Sequence, residues 1–467
     1  MPDEPDDPAE MGSTRRPRAL LVAYSCGPGH ISEAAVGWHR ALLAARMCDT
    51  WVLCPDHPAG EHIRTYQEAH GPTPGLSFVF VPHGRVGRLI RRLPGGFYVT
   101  YNLWQRRAAR VARSLHAALR FDLTHQVTLC GYREPGYLWR LDVPFVWGPV
   151  GGTQNLPWRY LGQLGVSGAV SEAVRNVLNT LQLRFSSRVR RAARRSAALL
   201  SANSTVHEDL RRAHGVVSRV QLETGVPDTP RPRSARRSSG PLRILWASHC
   251  YSFKALPLLL RALSRLPSDV PYELTVVGDG PARRAWQRLA RRLDIDRHIR
   301  WLGWLPHGEV LACYEAADVF VFTSLRDTSG NVVLEALAAG VPIICLDHQG
   351  VRDIVTDTCG IKVPVTNPAT SIHAIARALQ EVAHDRHRLH RLGDGALERA
   401  EALRWSVLGS RLLEVYAEVL GRSTRTEGTM AGPARSARRS PRTPASAPAR
   451  RSGAGTASRR APARPPV

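Results

Sequence analysis

Asp327 and Glu335 are two acids with seven residues between them, in the segment Thr323-Ser-Leu-Arg-Asp-Thr-Ser-Gly-Asn-Val-Val-Leu-Glu. An apolar run leads to Asp327. A small polar loop follows, Thr328, Ser329, Gly330 and Asn331, and then a helical period that carries Glu335 about one turn in. The first turn of a helix has unpaired N–H groups and the positive end of the helix dipole, which suits an anion such as a diphosphate. Glu335 is then placed to accept hydrogen bonds from vicinal hydroxyls, as on a ribose, and Asp327 to hold the hydroxyls of a sugar. Taken alone, the same residues also describe a helix capped by Ser329 or Asn331, with Glu335 a solvated acid.

Lys254 is the second candidate. It follows Trp246-Ala-Ser-His-Cys and precedes an apolar helical period, and it is one of only two lysines, with Lys362, in a chain of 467 residues whose cations are otherwise arginine. A compact ammonium at a helix start reaches a diphosphate, although an isolated lysine there is as often a surface residue. Weaker signals come from the first half. Gly27 and Gly29, in Ser25-Cys-Gly-Pro-Gly, let the backbone approach a ligand at a helix start or simply turn the chain. His125, in Asp122-Leu-Thr-His, sits within or just past a short strand, where a lone histidine is more often structural.

The elements that must position these residues are apolar runs of four to eight residues alternating with helical periods. Runs near 18–25, 51–55, 76–82, 121–129, 143–152 and 197–204 predict one α/β layer system. Runs near 242–248, 272–280, 299–306, 317–324 and 341–347 predict a second. The expected organisation is an acidic tail at 1–16, a Rossmann-like domain at 17–228 and a Pro, Ser and Arg linker at 229–240. A second Rossmann-like domain at 241–402, a crossover helix at 403–421 and a disordered Arg-rich tail at 422–467 complete it. Two doubly wound sheets facing each other leave a ligand cleft between the carboxyl ends of their strands.

The formal charge is +25, with a pI near 10.9. Such a charge points to nucleic acid or to an anionic membrane. Residues 422–467 hold eleven arginines against one glutamate, and residues 1–11 hold five acids and no base. The basic stretches carry no interleaved aromatics of the kind a single-strand or RNA binder uses, which argues against nucleic acid. Arg85 to Arg92 and Arg184 to Arg195 are either a solvated basic surface or the stretches that dock the first domain on an anionic membrane. No run approaches the roughly 18 apolar residues of a spanning helix. The amino terminus lacks a signal pattern, and the eight cysteines form no CxxC pair. A cytoplasmic protein with reduced thiols, at most peripheral on the inner face of the membrane, is expected.

Taken together, these segments resemble the family 4 retaining glycosyltransferases, from about Arg18 to Gly421 and most strongly from Leu242 to Pro364. The resemblance implies the α/β GT-B fold, two Rossmann-like domains facing across a cleft, and transfer of a sugar from a nucleoside diphosphate sugar to a hydroxyl of a glycan or lipid-linked acceptor, as in polysaccharide or glycoconjugate biosynthesis. Asp327 and Glu335 match the family's acid-x7-acid motif. The first acid there is more often Glu followed by Gly, so Asp327-Thr328 departs at the donor-sugar end. The family's phosphate-binding glycine-arginine pair falls on Ser248-His249, so the lysine is kept and His249 stands at the arginine position. Arg326 is the candidate replacement cation. By the resemblance, Lys254 and the amides of Ser329, Gly330 and Asn331 bind the diphosphate, Glu335 the ribose, Asp327 the donor sugar and Gly303-Trp304 the base. Gly27 and Gly29 close over phosphate or acceptor, and His125 contacts the transferred sugar. No metal or other cofactor is implied, and the leaving phosphate takes the acceptor proton. Two other readings stay open: a nucleotide-sugar 2-epimerase of the same fold, and an Arg-rich nucleic-acid or scaffold protein with a degenerate transferase body.

Overall fold

The computed structural model describes residues 15–29, 33–84, 90, 96–129, 131–228 and 239–430. Most of the expected linker, the basic stretch from Arg85 to Arg92 apart from Ile90, and residues 1–14 and 431–467 lie outside them.

Short runs that are apolar on both faces build strands covered by helices on both sides. The first sheet has seven strands: β1 (Arg18–Ala23), β2 (Asp49–Pro55), β3 (Leu76–Val81), β4 (Leu123–Thr128), β5 (Phe145–Val150), β6 (Ala198–Ser201) and β7 (Arg219–Val220), in the order β3-β2-β1-β4-β5-β6-β7. The second has six: β8 (Leu242–Ala247), β9 (Tyr272–Val277), β10 (Ile299–Gly303), β11 (Val319–Phe322), β12 (Ile343–Leu346) and β13 (Gly360–Val363), in the order β10-β9-β8-β11-β12-β13. Every strand pair is parallel. Both orders reverse beside the first strand of their sheet, so each has a switch point where a crevice opens at the carboxyl ends.

The helices of the first half are α1 (Glu33–Ala45), α2 (Glu61–His70), α3 (Gly96–Leu119), α4 (Gly165–Phe185), α5 (Ser187–Arg195) and α6 (Ser204–His214). Those of the second are α7 (Leu256–Leu263), α8 (Arg283–Arg292), α9 (His307–Ala316), α10 (Asn331–Ala338), α11 (Gln349–Ile354), α12 (Pro368–His384), α13 (Arg386–Ala402) and α14 (Trp405–Met430). The last helix runs nine residues beyond the expected end at Gly421. Nothing between Arg422 and Met430 is a proline, so no missing N–H stops it.

The two halves exchange core residues. Trp405, Leu412, Val415, Tyr416 and Val419 of α14 pack in the core of the first sheet, with Leu21, Ala41 and Val52. Leu156, Tyr160 and Leu164, between β5 and α4, pack in the core of the second, with Leu242, Trp246 and Leu259. The Tyr160 hydroxyl lies 2.7 Å from Ser371 Oγ. Where the chain crosses between halves, Val226 N donates to Leu403 O and Trp405 N to Val226 O, at 2.9 and 3.0 Å. No helix of the described residues is long and apolar enough to cross a membrane.

Candidate active site

A cavity of about 470 Å³ opens where the carboxyl ends of β8, β9 and β10 meet the loop after β11. Lys254 enters it from a single 3-10 turn, Ser252–Lys254, and Ala255 then takes a left-handed conformation, φ 50°, that starts α7. Lys254 Nζ donates to Asp327 Oδ2 at 2.5 Å, with both side chains about four-fifths shielded. The Lys254 carbonyl accepts from Thr323 Oγ1 at 2.8 Å, so the two strand ends that deliver the pair are tied to each other.

The loop from Asp327 to Gly330 is clamped from below. Asp327 N donates to Gln349 Oε1 at 2.8 Å. A Cβ on Gly350 would stand 1.7 Å from Thr328 O, so only glycine lets α11 approach this closely. Gly330, φ 65°, turns the chain into α10. Ser329 is buried, and its Oγ meets no hydrogen-bond partner among the described residues. An orphan hydroxyl at a helix start, in a cavity that also holds a lysine, is an unused hydrogen-bond donor for an anion. Ser248 and His249, just past the end of β8, also line the cavity. Gly278, φ 122°, passes so close under them that a Cβ would sit 1.9 Å from Ser248 O.

Glu335, one turn into α10, accepts from or pairs with His307 Nε2 at 3.0 Å across the cavity. Trp304 flanks that end with most of its ring exposed. Glu223, from the crossing segment, and Leu305, Val310 and Val332 also line the cavity, with Ala247 and Val277 at the ends of β8 and β9. Sequence reasoning missed His307, Glu223 and the clamp made by Gln349 and Gly350. His307 had a signal, since it opens a helix directly after the Gly303-Trp304 turn; Glu223 had none. No group of three or more His, Cys, Asp or Glu side chains among the described residues forms a metal site.

Lys254, Asp327, Glu335, Ser248, His249, Trp304, Ser329, Gly330 and Asn331 all line this one cavity. Five other expected residues do not, and a sixth is placed elsewhere altogether. Arg326 turns away and forms a two-pronged ion pair with Glu172 of α4, at 2.9 and 3.1 Å, while stacking on Phe253; it is an interdomain tie and not a replacement phosphate cation. Thr328 packs on Gly151, and its carbonyl accepts from Asn203 Nδ2 at 2.8 Å. Gly303, φ 74°, shapes the rim by accepting from Gly278 N at 2.6 Å. Gly27 is buried in the turn after β1, where its N–H donates to Ala34 O, and Gly29 is exposed at the turn's tip.

His125 is the largest correction. It is fully buried within β4. Its Nε2 lies 2.7 Å from Gly148 O and its Nδ1 2.6 Å from the Tyr416 hydroxyl. A carbonyl accepts only, so Nε2 carries the proton and Nδ1 accepts from Tyr416. Nδ1 holds α14 to the sheet and Nε2 ties β4 to β5, so neither nitrogen is left for a sugar. Burial pushes its pKa down to about 3, against the opposing Gly148 hydrogen bond.

Residues 231–399 match the family of glycosyl transferases group 1. The D-inositol 3-phosphate glycosyltransferase of Streptomyces bingchenggensis is 34% identical over 187 residues, covering 38% of this chain and 40% of that protein. The glycogen synthase of Mycobacterium tuberculosis is 26% identical over 256 residues, covering 54% and 58%. The chain spans about half the length of the curated relatives it matches. Among solved structures, HepE of Anabaena in complex with UDP superposes with a TM-score of 0.54 at 15% identity, covering 86% of this chain and all of that one. The apo form of the lipopolysaccharide outer core galactosyltransferase WaaB gives 0.59 at 12%, covering 86% and 99%. The fold is GT-B, and the half of the chain that holds the cavity is the half similar to the group 1 glycosyl transferases.

Proposed function

We propose that the protein is a retaining glycosyltransferase that moves a sugar from a nucleoside diphosphate sugar to a hydroxyl of a glycan or lipid-linked acceptor. The observation that carries this reading is the cavity's composition: an ammonium, an orphan buried hydroxyl and a helix start at one end, and a carboxylate beside an exposed indole at the other. That is the charge pattern of a nucleoside diphosphate laid lengthwise. Lys254, Ser329 and the first amides of α10 take the diphosphate, Glu335 accepts from the ribose hydroxyls, and Trp304 stacks on the base. Asp327, released from Lys254 when phosphate arrives, accepts from a hydroxyl of the donor sugar.

In this reading the anomeric C–O bond to the β-phosphate breaks as the acceptor oxygen bonds to the same face of that carbon. The acceptor proton passes to the departing phosphate oxygen. The protein stabilises the growing charge with a pre-positioned ammonium and helix dipole and aligns the acceptor, and the reading assigns this charge to Lys254 and not to a metal. His249 adds a donor where a permanently charged guanidinium would be expected. UDP is the first nucleotide to test, because HepE was solved with it. A cytoplasmic location and a role in polysaccharide or glycoconjugate synthesis belong to the same proposal.

Thermal-shift titration of UDP, GDP and ADP tests it, on the wild type, Lys254→Ala and Glu335→Ala. A ligand bound only by the native state stabilises by about 2.7 kcal/mol at a hundredfold excess over its dissociation constant. One nucleotide that shifts the wild type and neither variant supports the site. No shift with any nucleotide returns the protein to the scaffold reading. An epimerase is separated by proton NMR, since it converts the nucleotide sugar with no acceptor present.

A further inference from the structure

Helix α4 is built inside out. At 3.6 residues per turn, Val166, Val170, Val174, Val177, Leu178, Leu181 and Phe185 fall within an arc of about 120°, and all seven are between 48 and 85% exposed. The opposite arc holds Glu172, Asn176 and Asn179, which are buried, with Leu183 the one apolar side chain of the helix buried beside them. The buried face is fully paired. Glu172 takes Arg326, Asn176 holds both backbone groups of Leu156 at 3.0 and 2.7 Å, and Asn179 donates to Thr153 O at 2.6 Å and accepts from the Tyr132 hydroxyl at 3.0 Å. A surface helix ordinarily shows the reverse arrangement. The folded chain thus leaves an apolar stripe roughly 28 Å long facing outward, at 1.5 Å per residue.

Three features beside the stripe identify what covers it. A cavity of about 700 Å³ runs along one edge, with Val174 and Leu178 on one side and Tyr98 of α3 on the other. Phe97 and Val99 extend that far rim as exposed apolar residues. Inside the cavity stand Arg133, Arg175 and Glu134; Glu134 is paired with Arg188 at 2.9 Å, whereas neither arginine is in an ion pair among the described residues, and they hydrogen-bond to Gln182, Asn179 and the Gln154 carbonyl. The carboxyl end of the stripe runs into Arg184 and then α5, whose Arg190, Arg191, Arg194 and Arg195 are exposed. Two arginines outside any ion pair, against one carboxylate already held by Arg188, between apolar rims match an amphiphile with an anionic head. A second copy would bring the same arginines against each other, in a chain whose full sequence already carries a formal charge of +25.

We propose that the outward face of α4, with the rim at Phe97 to Val99 and the arginines from 184 to 195, docks flat on an anionic phospholipid bilayer, and that the cavity at Arg133 and Arg175 receives an anionic lipid headgroup. An interfacial helix of this kind draws its binding from buried apolar area and from basic residues at the surface together. The docking has a consequence for the cleft. Glu172 on the inner face of α4 holds Arg326, the residue before Asp327, so the bilayer would lie about one helix diameter, roughly 10 Å, beyond the donor loop.

Flotation of the full-length protein on sucrose gradients tests this, with vesicles of phosphatidylcholine alone or with about one third phosphatidylglycerol, at about 0.1 M salt, where the Debye length is ~10 Å. The wild type is expected to float with the anionic vesicles and not with phosphatidylcholine. V174D/L178D/L181D is expected to lose at least tenfold in bound fraction, and R190Q/R191Q/R194Q a similar factor that disappears at about 1 M salt. Should the aspartate variant not reach wild-type melting behaviour, V174S/L178S/L181S replaces it, with a severalfold loss expected. Flotation of either apolar variant as good as wild type assigns binding to the Arg-rich carboxyl-terminal tail and overturns the proposal. So does a wild-type dimer that the variant dissolves without loss of flotation. The assay reads lipid and not sugar transfer, so it stands or falls separately from the donor site.

Discussion

β4 and β11 hold the same place in their sheets, each next to the first strand at the switch point, yet they use their chemistry in opposite ways. His125 lies in the middle of β4, three residues before its end at Thr128. Asp327 lies five residues past the end of β11 at Phe322. A side chain within a doubly covered strand points into one core or the other, whereas one past the strand end points into the crevice. His125 accordingly pairs with a carbonyl and a tyrosine of α14, while Asp327 reaches Lys254 in a cavity. The difference of eight residues relative to a strand end separates a structural histidine from an acid of the candidate site, and it divides the molecule into a half that holds that cavity and a half that frames it.

The comparison breaks first at Lys254 if it is wrong. Lys254→Ala removes the one ammonium of the cavity and leaves Asp327 shielded and unpaired. Loss of a single pre-positioned stabiliser of developing charge costs about 3–4 kcal/mol, so kcat/KM for transfer should fall roughly 10²- to 10³-fold, and the shift with UDP should vanish. Lys254→Arg should recover only part of this, because the fork of a guanidinium cannot repeat the compact contact.

Glu335→Gln sharpens the same half. Hydrogen bonds to a charged group contribute about 1.5–3 kcal/mol, so UDP affinity should drop roughly 10- to 100-fold. The specific readout is 2′-deoxy-UDP, which the wild type should bind more weakly than UDP and which the variant should bind about as well as UDP. Equal binding of the two nucleotides by the wild type would remove Glu335 from the ribose.

Gly350→Ala tests whether the loop is held from outside the cavity. The new Cβ would be 1.7 Å from Thr328 O, so the loop from Asp327 to Gly330 must move. A displacement of this kind should weaken UDP by about tenfold, as poor positioning alone can. Gly162→Ala is the control, since a Cβ there has nothing within 4 Å, and it should bind UDP as the wild type does. The two substitutions are read by isothermal titration.

How much of this was legible follows the same divide. The alternation of apolar runs and helical periods predicted two doubly wound sheets, because a strand covered on both faces must be apolar throughout. In the second half part of the candidate site lies within one loop and one helix start, so Asp327, Ser329, Gly330, Asn331 and Glu335 were readable as local spacing, with Lys254 readable at the start of another helix. Arg326 was not, because its neighbours in sequence say nothing of Glu172, 154 positions away. His307 and Glu223 reach the cavity from other elements, and only the fold brings them there. The inverted helix α4 shows the limit most clearly. Its valines and leucines follow a helical period that reads as a core-facing stripe, and what reverses it is the pairing of Glu172, Asn176 and Asn179 with groups on other elements.

The smallest effect on the site is expected at His125, and it is the sharpest test of the framing half. His125→Phe keeps the volume but leaves the Tyr416 hydroxyl and the Gly148 carbonyl without partners, which should cost about 1–3 kcal/mol each at most in unfolding free energy near pH 7.5. UDP affinity should stay within about twofold of wild type. The pH dependence gives the role away. The folded protein holds His125 neutral down to about pH 3, while the unfolded chain binds a proton there near 6.5. Between those values the unfolded state carries the extra proton, so wild-type stability falls as pH drops below about 6.5, by up to roughly 1.4 kcal/mol per pH unit from this group. His348, pushed down to about 4 chiefly by burial, adds a slope of the same sign and is unchanged in the variant. The deficit of His125→Phe measured by urea unfolding should therefore shrink from pH 7.5 to pH 5.5. A folded variant that keeps its stability but loses sugar transfer a hundredfold would place His125 at the reacting centre after all, and the contrast between β4 and β11 would fail.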